Sequence, residues 1–196
     1  MRLAGRDVAT LAPLELAARR AVLRRRSSLT AAFTALEVVR LGQPRGDDAV
    51  ARRCLAIVEL DGLAGRSYPS LSGGEQQRVQ LARVLAQIEA CPAGALLLDE
   101  PVAALDLRQE RMVERVVRHS ASRGHAVVLV AHDLGFVARC ADRVVVMRAG
   151  AALADGPPSA ALTSAVLSRA FDMPIEVDLA ALRRCVTRSP GAACPP

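Results

Sequence analysis

The sequence predicts an α/β fold, a parallel sheet with an inserted helical subdomain. Two observations predict it. Short, wholly apolar runs at 95–98 and 126–131 read as strands of the kind buried on both faces of a parallel sheet, and each is followed by a helical pattern. A long helical stretch, 29–90, separates the run at 95 from an earlier apolar piece, Ala21-Val22-Leu23.

The elements follow in order. Gly5 marks a turn, and a helix starts near Pro13, where the missing N–H costs nothing. Ala21-Val22-Leu23 is a short strand. Thr34 caps a helix over Ala35–Leu41, and Gly42–Gly46 punctuates. Asp47 caps a helix over Asp48–Leu60, with Val50, Cys54, Ile57 and Val58 on one face. Ser72 opens a helix to about Glu89, which Cys91–Gly94 ends. Ala95–Leu98 is a strand, Leu107–Arg123 a helix, Ala126–Ala131 a strand and Leu134–Cys140 a helix started by Asp133. Val144–Arg148 and Ala151–Ala154 form a hairpin around Ala149-Gly150. Ser159–Phe171 is one last helix. These elements make one domain over 1–178, and 179–196 is a loose, disordered tail.

Composition narrows the function classes. Hydrophobic residues make up 52% of the 196, so a sizeable core is available and disorder throughout is excluded. All 26 basic residues are arginine, and the net charge is +6. The arginines are scattered, and aromatic residues are only 2%, so stacking platforms for single-stranded nucleic acid are lacking and no nucleic-acid partner is expected. No apolar run reaches the ~18 residues of a spanning helix. The five cysteines have no CxxC spacing and read as free thiols.

Three places carry chemistry. Ser72-Gly73-Gly74-Glu75 is a capping box. A capping box does not need two glycines, each costing up to ~1 kcal/mol in a helix interior. Glycine lets a ligand approach backbone N–H groups at the positive helix end, an anion site. Both readings stand at this point. Asp99-Glu100 ends an apolar strand, where open α/β sheets bind ligands. Asp99 suits Mg²⁺ and Glu100 suits the polarising of a water; a pair of surface acids is the plainer reading. His132 ends the next apolar strand, as a structural histidine or a third member of the site.

Taken together and in this order, these segments resemble the ABC-type ATPases. Leu71–Gln76 is similar to the family's signature motif, Leu96–Glu100 to its Walker B strand, Ala104-Leu105-Asp106 to its D-loop, and His132 to its switch histidine. Arg78–Gln87, Ala21–Leu23 with Ser27–Leu29, and Leu162-Thr163 leading to Phe171 resemble the ATPase subunits of haem importers within the iron-chelate and vitamin B12 import group. The resemblance implies a P-loop NTPase-like fold that binds ATP and Mg²⁺. It implies Glu100 and His132 as catalytic residues, Asp99 at the metal, Asp106 in the D-loop, and Ser72, Gly73, Gly74 and Glu75 closing over ATP held by a second subunit. The implied partners are that second ATPase subunit, transmembrane permease subunits and, through them, a periplasmic binding protein. The implied location is the cytoplasmic face of the bacterial inner membrane.

The chain departs from the family in two ways. It has no lysine, so it has no Gly-x-x-x-x-Gly-Lys-[Ser/Thr] loop. In the family that loop lies upstream of the segment resembling Arg2–Asp7, so the resemblance implies an N-terminally truncated copy, not competent in hydrolysis alone. Arg25 stands where the family has the Q-loop glutamine. A non-catalytic protein pairing with an intact ATPase is the alternative, and a DNA-repair-type ATPase a third reading.

Overall fold

The computed structural model describes residues 2–3, 5–25, 29, 31–44, 46–89, 91, 93–103 and 105–184. Ser27, Ser28, Ala104 and the tail from 185 onward, all named above, lie outside the described residues. The chain divides into two compact units, Met1–Val130 and Ala131–Pro196.

The first unit opens on a two-residue hairpin, β1 (Arg2–Leu3) with β2 (Arg6–Asp7), turning through Gly5 at φ +79°. Helix α1 (Pro13–Arg19) starts on its proline and runs directly into β3 (Arg20–Leu23). Two further strands, β4 (Ala95–Asp99) and β5 (Ala126–Val130), complete a three-stranded sheet in the order β3-β4-β5. Both pairings are parallel, with Ala21 opposite Leu96 and Leu96 opposite Val127. The expected parallel α/β sheet is therefore present. Parallel neighbours need a long crossover. Here the crossover from β3 to β4 contains the helical cluster, which is why the helices fall between two adjacent strands.

That cluster is α2 (Ala35–Arg40), α3 (Asp48–Ile57) and α4 (Gly73–Ile88), each packing on the other two. Thr34 caps α2 with Glu37 in a reciprocal capping box, and Asp47 caps α3 by accepting from Ala49 N at 2.8 Å. The buried residues on α3 and just past it are Ala51, Cys54, Leu55 and Val58, while Ile57 is 45% exposed. Ile57 is thus off the face expected for it. Burial also pushes the Cys54 thiol up to about 12, which keeps it inert.

Helix α3 stops earlier than expected, at Ile57, for a visible reason. Leu60 N donates to Leu55 O and Glu59 N to Ala56 O, the paired bonds of a Schellman stop. The stop needs a left-handed residue, and Glu59 takes it at φ 59°. Its carboxylate reaches Arg108 at 3.1 Å and Arg115 at 3.2 Å, both on α5 (Leu107–Ser122). Arg78 of α4 donates to the Val58 and Glu59 carbonyls.

Helix α4 is the strut of this unit. Its buried face, including Val79, Leu81, Ala82 and Val84, packs on α2, α3 and β3. Gln80 donates to the buried Tyr68 hydroxyl at 3.0 Å, and Arg83 in turn donates to Gln80. Gln87 donates to Ala17 O and Arg20 O, tying the far end to the entry of β3.

The sheet is not buried evenly. Ala21, Leu23, Leu96 and Leu98 lie on one face and are all at most 2% exposed. On the other face Val22 and Leu97 are half-buried, and Val128 and Val130 are 56% and 60% exposed. The expectation of strands buried on both faces holds for most of β4 and fails for β5.

The second unit holds α6 (Leu134–Cys140), the hairpin β6 (Val144–Arg148) with β7 (Ala151–Gly156), α7 (Pro158–Ala161), α8 (Ser164–Phe171) and α9 (Leu179–Arg184). The hairpin turns on Ala149 and Gly150, both at positive φ. The single helix expected over Ser159–Phe171 is two. Leu162 leaves helical geometry with its side chain buried, and Thr163 recaps the chain by accepting from Val166 N. The tail expected from 179 begins instead with α9. Asp178 accepts from Ala180 N and Ala181 N, and Arg183 donates to Ala138 O on α6. Among the described residues no helix is long and apolar enough to cross a membrane.

Glu59 offers a test of the α3 stop. Glu59→Gly relieves the positive φ and loses two exposed ion pairs, each worth roughly 0.2–1 kcal/mol. These cancel, so urea unfolding should place this variant within about 0.5 kcal/mol of the parent. Glu59→Val, β-branched and unpaired, should lose about 1–3 kcal/mol. Equal losses for both would show that the ion pairs, not the backbone, decide the stop.

Candidate functional site

The site is built where the first turn of α4 and the exit of β4 come together. Leu71 is buried and sets the approach. Ser72 follows in extended geometry as the N-cap. Its N–H donates to Glu75 Oε2 at 2.7 Å and its hydroxyl to the same oxygen at 2.8 Å, while Glu75 N approaches Ser72 Oγ at 3.4 Å. Glu75 is held below the ordinary glutamate range, first by the Ser72 backbone N–H and then by the Ser72 hydroxyl. The capping box is therefore real, and it fixes the serine.

It does not account for the glycine beside it. Gly73 is exposed, with helical backbone, and a Cβ built there would meet nothing within 4 Å. Among the described residues nothing calls for glycine at this position. Alanine would be favoured by up to ~1 kcal/mol. What glycine adds is an uncovered patch of backbone at a positive helix end.

The acidic pair sits at the exit of β4. Asp99 ends the strand, exposed and in register with Val130. Glu100 then turns the chain at φ 48°, a conformation uncommon for a residue with a side chain. Three bonds pin its backbone. Its N–H donates to Val130 O at 2.8 Å, and its carbonyl accepts from Gln77 Nε2 at 3.0 Å and from Ala103 N at 3.2 Å. Gln77 belongs to α4, so the turn at Ser72 and the exit at Glu100 are fastened to one helix. The Glu100 carboxylate, only 16% exposed, lies 3.0 Å from Arg25 Nε. Asp106 caps α5 in a reciprocal box with Gln109.

The structure thus brings Arg25 against Glu100 and couples both to α4. Ser72, Gly73, Gly74 and Glu75 form one turn at the other side of that coupling. His132 belongs to the second unit, where it is exposed and precedes the Asp133 cap of α6. Sequence reading missed Gln77, because a glutamine one turn into a helix carries no local sign of a partner 23 residues away. It flagged Arg25 as a departure but had no means of finding its carboxylate.

Comparison with known proteins follows the same lines. The family model described as ABC transporter matches residues 1–103. The hemin import ATP-binding protein HmuV of Streptomyces coelicolor is 46% identical over 185 residues, 90% of this chain and 65% of that protein. HmuV of Nocardia farcinica is 45% identical over 90% of this chain and 63% of its own length. The chain therefore spans a little under two thirds of these relatives. Among solved structures, the dimeric ATP-binding cassette MJ0796 in a post-hydrolysis state bound to ADP and Pi matches with TM-score 0.68 and 26% identity, over 80% of this chain and 72% of that one.

Two outcomes test the turn. Gly73→Ala should leave stability unchanged or raise it by about 0.5–1 kcal/mol in thermal unfolding, while weakening any phosphate bound there. A loss of stability would show an internal need for the glycine. Glu75 is depressed in the folded chain, so its cap is at full strength above the ordinary glutamate pKa of about 4.3 and is lost as pH falls through its lower folded value. Carboxyl NMR should place its midpoint below about 4.3. Ser72→Ala, which leaves the larger backbone contribution, should move it only part of the way back.

Proposed function

The chain belongs to the ABC transporter family, and on that premise we propose that it is the ATP-binding subunit of a bacterial importer for haem or another iron chelate. The observation that carries the reading is the signature turn, a capped serine beside an exposed glycine with no internal purpose, in a chain about 45% identical to relatives named as hemin import ATP-binding proteins. Bound ATP and Mg²⁺ supply the cleavable phosphoanhydride and its charge compensation. Ser72, Gly73 and Gly74 offer hydroxyl and backbone N–H donors to phosphate oxygens, and Glu75 keeps the serine in place. Asp99 suits Mg²⁺ shared with phosphate oxygens rather than caged by protein. Glu100 polarises the attacking water. Asp106 matches the family's D-loop and His132 its switch histidine.

The phosphate cradle is not among these 196 residues. With no lysine in its 196 residues, the chain has no cradle lysine to give. The reading therefore calls for a segment outside these residues, most simply a second ATPase subunit, to hold the triphosphate against Ser72. Permease subunits at the cytoplasmic face of the inner membrane, fed by a periplasmic binding protein, complete the assembly. One observation favours a second reading, in which the chain lends its signature turn without hydrolysing. Arg25 occupies the carboxylate that would polarise water.

Equilibrium dialysis of the purified chain separates these. ATP with Mg²⁺ should bind it more weakly than about 1 mM. Mixing with a lysine-bearing ABC ATPase subunit should produce binding that Ser72→Arg abolishes. Micromolar affinity of the chain alone would overturn the half-site reading. Hydrolysis in the mixture that rises when Arg25 is changed to Gln would favour the second.

A further inference from the structure

A cavity of about 540 Å³ opens beside α4, walled by α1, β3 and the residue that follows α2. Its apolar lining includes Leu16, Val22, Leu29 and Leu41. Among the described residues no acid lines it, and its charged groups are three arginines, Arg20, Arg24 and Arg83.

Two glutamines also line it, and both are engaged within the chain. Gln80 donates to the Tyr68 hydroxyl and accepts from Arg83, and Gln87 donates to the Ala17 and Arg20 carbonyls. The arginines have more to give. Arg20 and Arg24 form no ion pair with a described residue. Arg83 uses only its Nε, on Gln80 at 2.8 Å, which leaves the donors of both Nη groups. Arg20 and Arg83 are half-buried, yet none of their unpaired nitrogens is sealed from solvent, and Arg24 is exposed. Burial holds Arg83 below the ordinary arginine range, and the nearby Arg24 charge adds to this. An anion seated between the two offsets both effects.

Size and wall chemistry narrow the ligand. Small-molecule pockets run from roughly 300 to 1,000 Å³, so this one takes a body of several rings. A bare phosphate would leave the leucine and valine walls in water. No His, Cys, Met or Tyr is among the described lining residues, so nothing there offers an axial bond to a ring-bound metal.

We propose that this cavity binds a tetrapyrrole dicarboxylate, with its carboxylates at Arg24 and Arg83, its ring against Leu16, Val22, Leu29 and Leu41, and any central metal left uncoordinated by the chain. The choice of a tetrapyrrole among apolar dicarboxylates rests on reading the chain as a subunit of a haem importer. On that reading the site lets imported cargo act on α4, the helix that opens with the signature turn.

The full chain is titrated, without nucleotide or partner, with protoporphyrin IX, its dimethyl ester and haemin, and binding is followed by the absorbance of the ring. Protoporphyrin IX should saturate one site at micromolar concentration. Haemin should match it within about threefold, and the ester, which lacks both charges, should bind at least about tenfold more weakly. Arg24→Gln, at an exposed position, should weaken the free acid about tenfold and leave the ester unchanged. Arg52→Gln, the same loss of charge at an exposed position on α3 outside the cavity, should weaken neither. Absence of saturation, equal affinity of acid and ester, equal effects of the two substitutions, or a haemin affinity far above that of the metal-free ring would each overturn the proposal. ATP takes no part in these titrations, so their failure is separate from failure of the half-site reading, which the dialysis of ATP against the mixed subunits decides.

Discussion

Everything in the first unit hangs on α4 being fixed to the sheet at both ends by glutamine side chains. Gln87 donates to the carbonyls where α1 becomes β3, and Gln77 donates to the carbonyl of Glu100 where β4 ends. Between those points the helix buries one face on α2, α3 and β3. Hydrophobic burial supplies most of the energy of such packing, but it is not directional and would tolerate sliding along the helix. The two glutamines set the register. Without them the turn at Ser72 would still be capped, yet its placement relative to the acidic exit would be loose.

The same economy shows at Glu100 and Glu59. Both are glutamates in left-handed backbone, where glycine would be easier, and both carboxylates meet arginines. At Glu59 the strain stops α3 and joins it to α5. At Glu100 it turns the chain sharply off the sheet and keeps the carboxylate mostly covered. A glycine in either place would ease the backbone and remove the carboxylate these arginines meet. In a chain whose cations are all arginine, these forked, permanently charged groups are the available means of holding such turns.

Legibility followed the range of the forces. Caps at Thr34, Asp47, Ser72 and Asp133 were plain, because a cap is settled within four residues. The parallel sheet was plain from the short apolar runs at 95–98 and 126–131. The split between α7 and α8 was not, since Thr163 is a cap only if Leu162 finds a buried site. The α9 helix was hidden by composition, because Arg- and Ala-rich sequence reads alike in a tail and in a short helix docked on α6. Ile57 was misplaced because the Schellman stop at Glu59 ends α3 beside it. At the site, residue types were readable from the motif, while the Arg25–Glu100 and Gln77–Glu100 contacts depend on how the sheet and the helical cluster meet.

Val128 and Val130 point to a last consequence. A parallel strand with an uncovered face leaves apolar area in water, and a ligand or polypeptide that covers it binds the folded chain in preference to the unfolded one. By mass action such cover adds RT ln(1 + [L]/Kd) to stability, about 2.7 kcal/mol at a hundredfold excess over Kd. The melting point of this protein is then a property of its company and its concentration as much as of its own sequence.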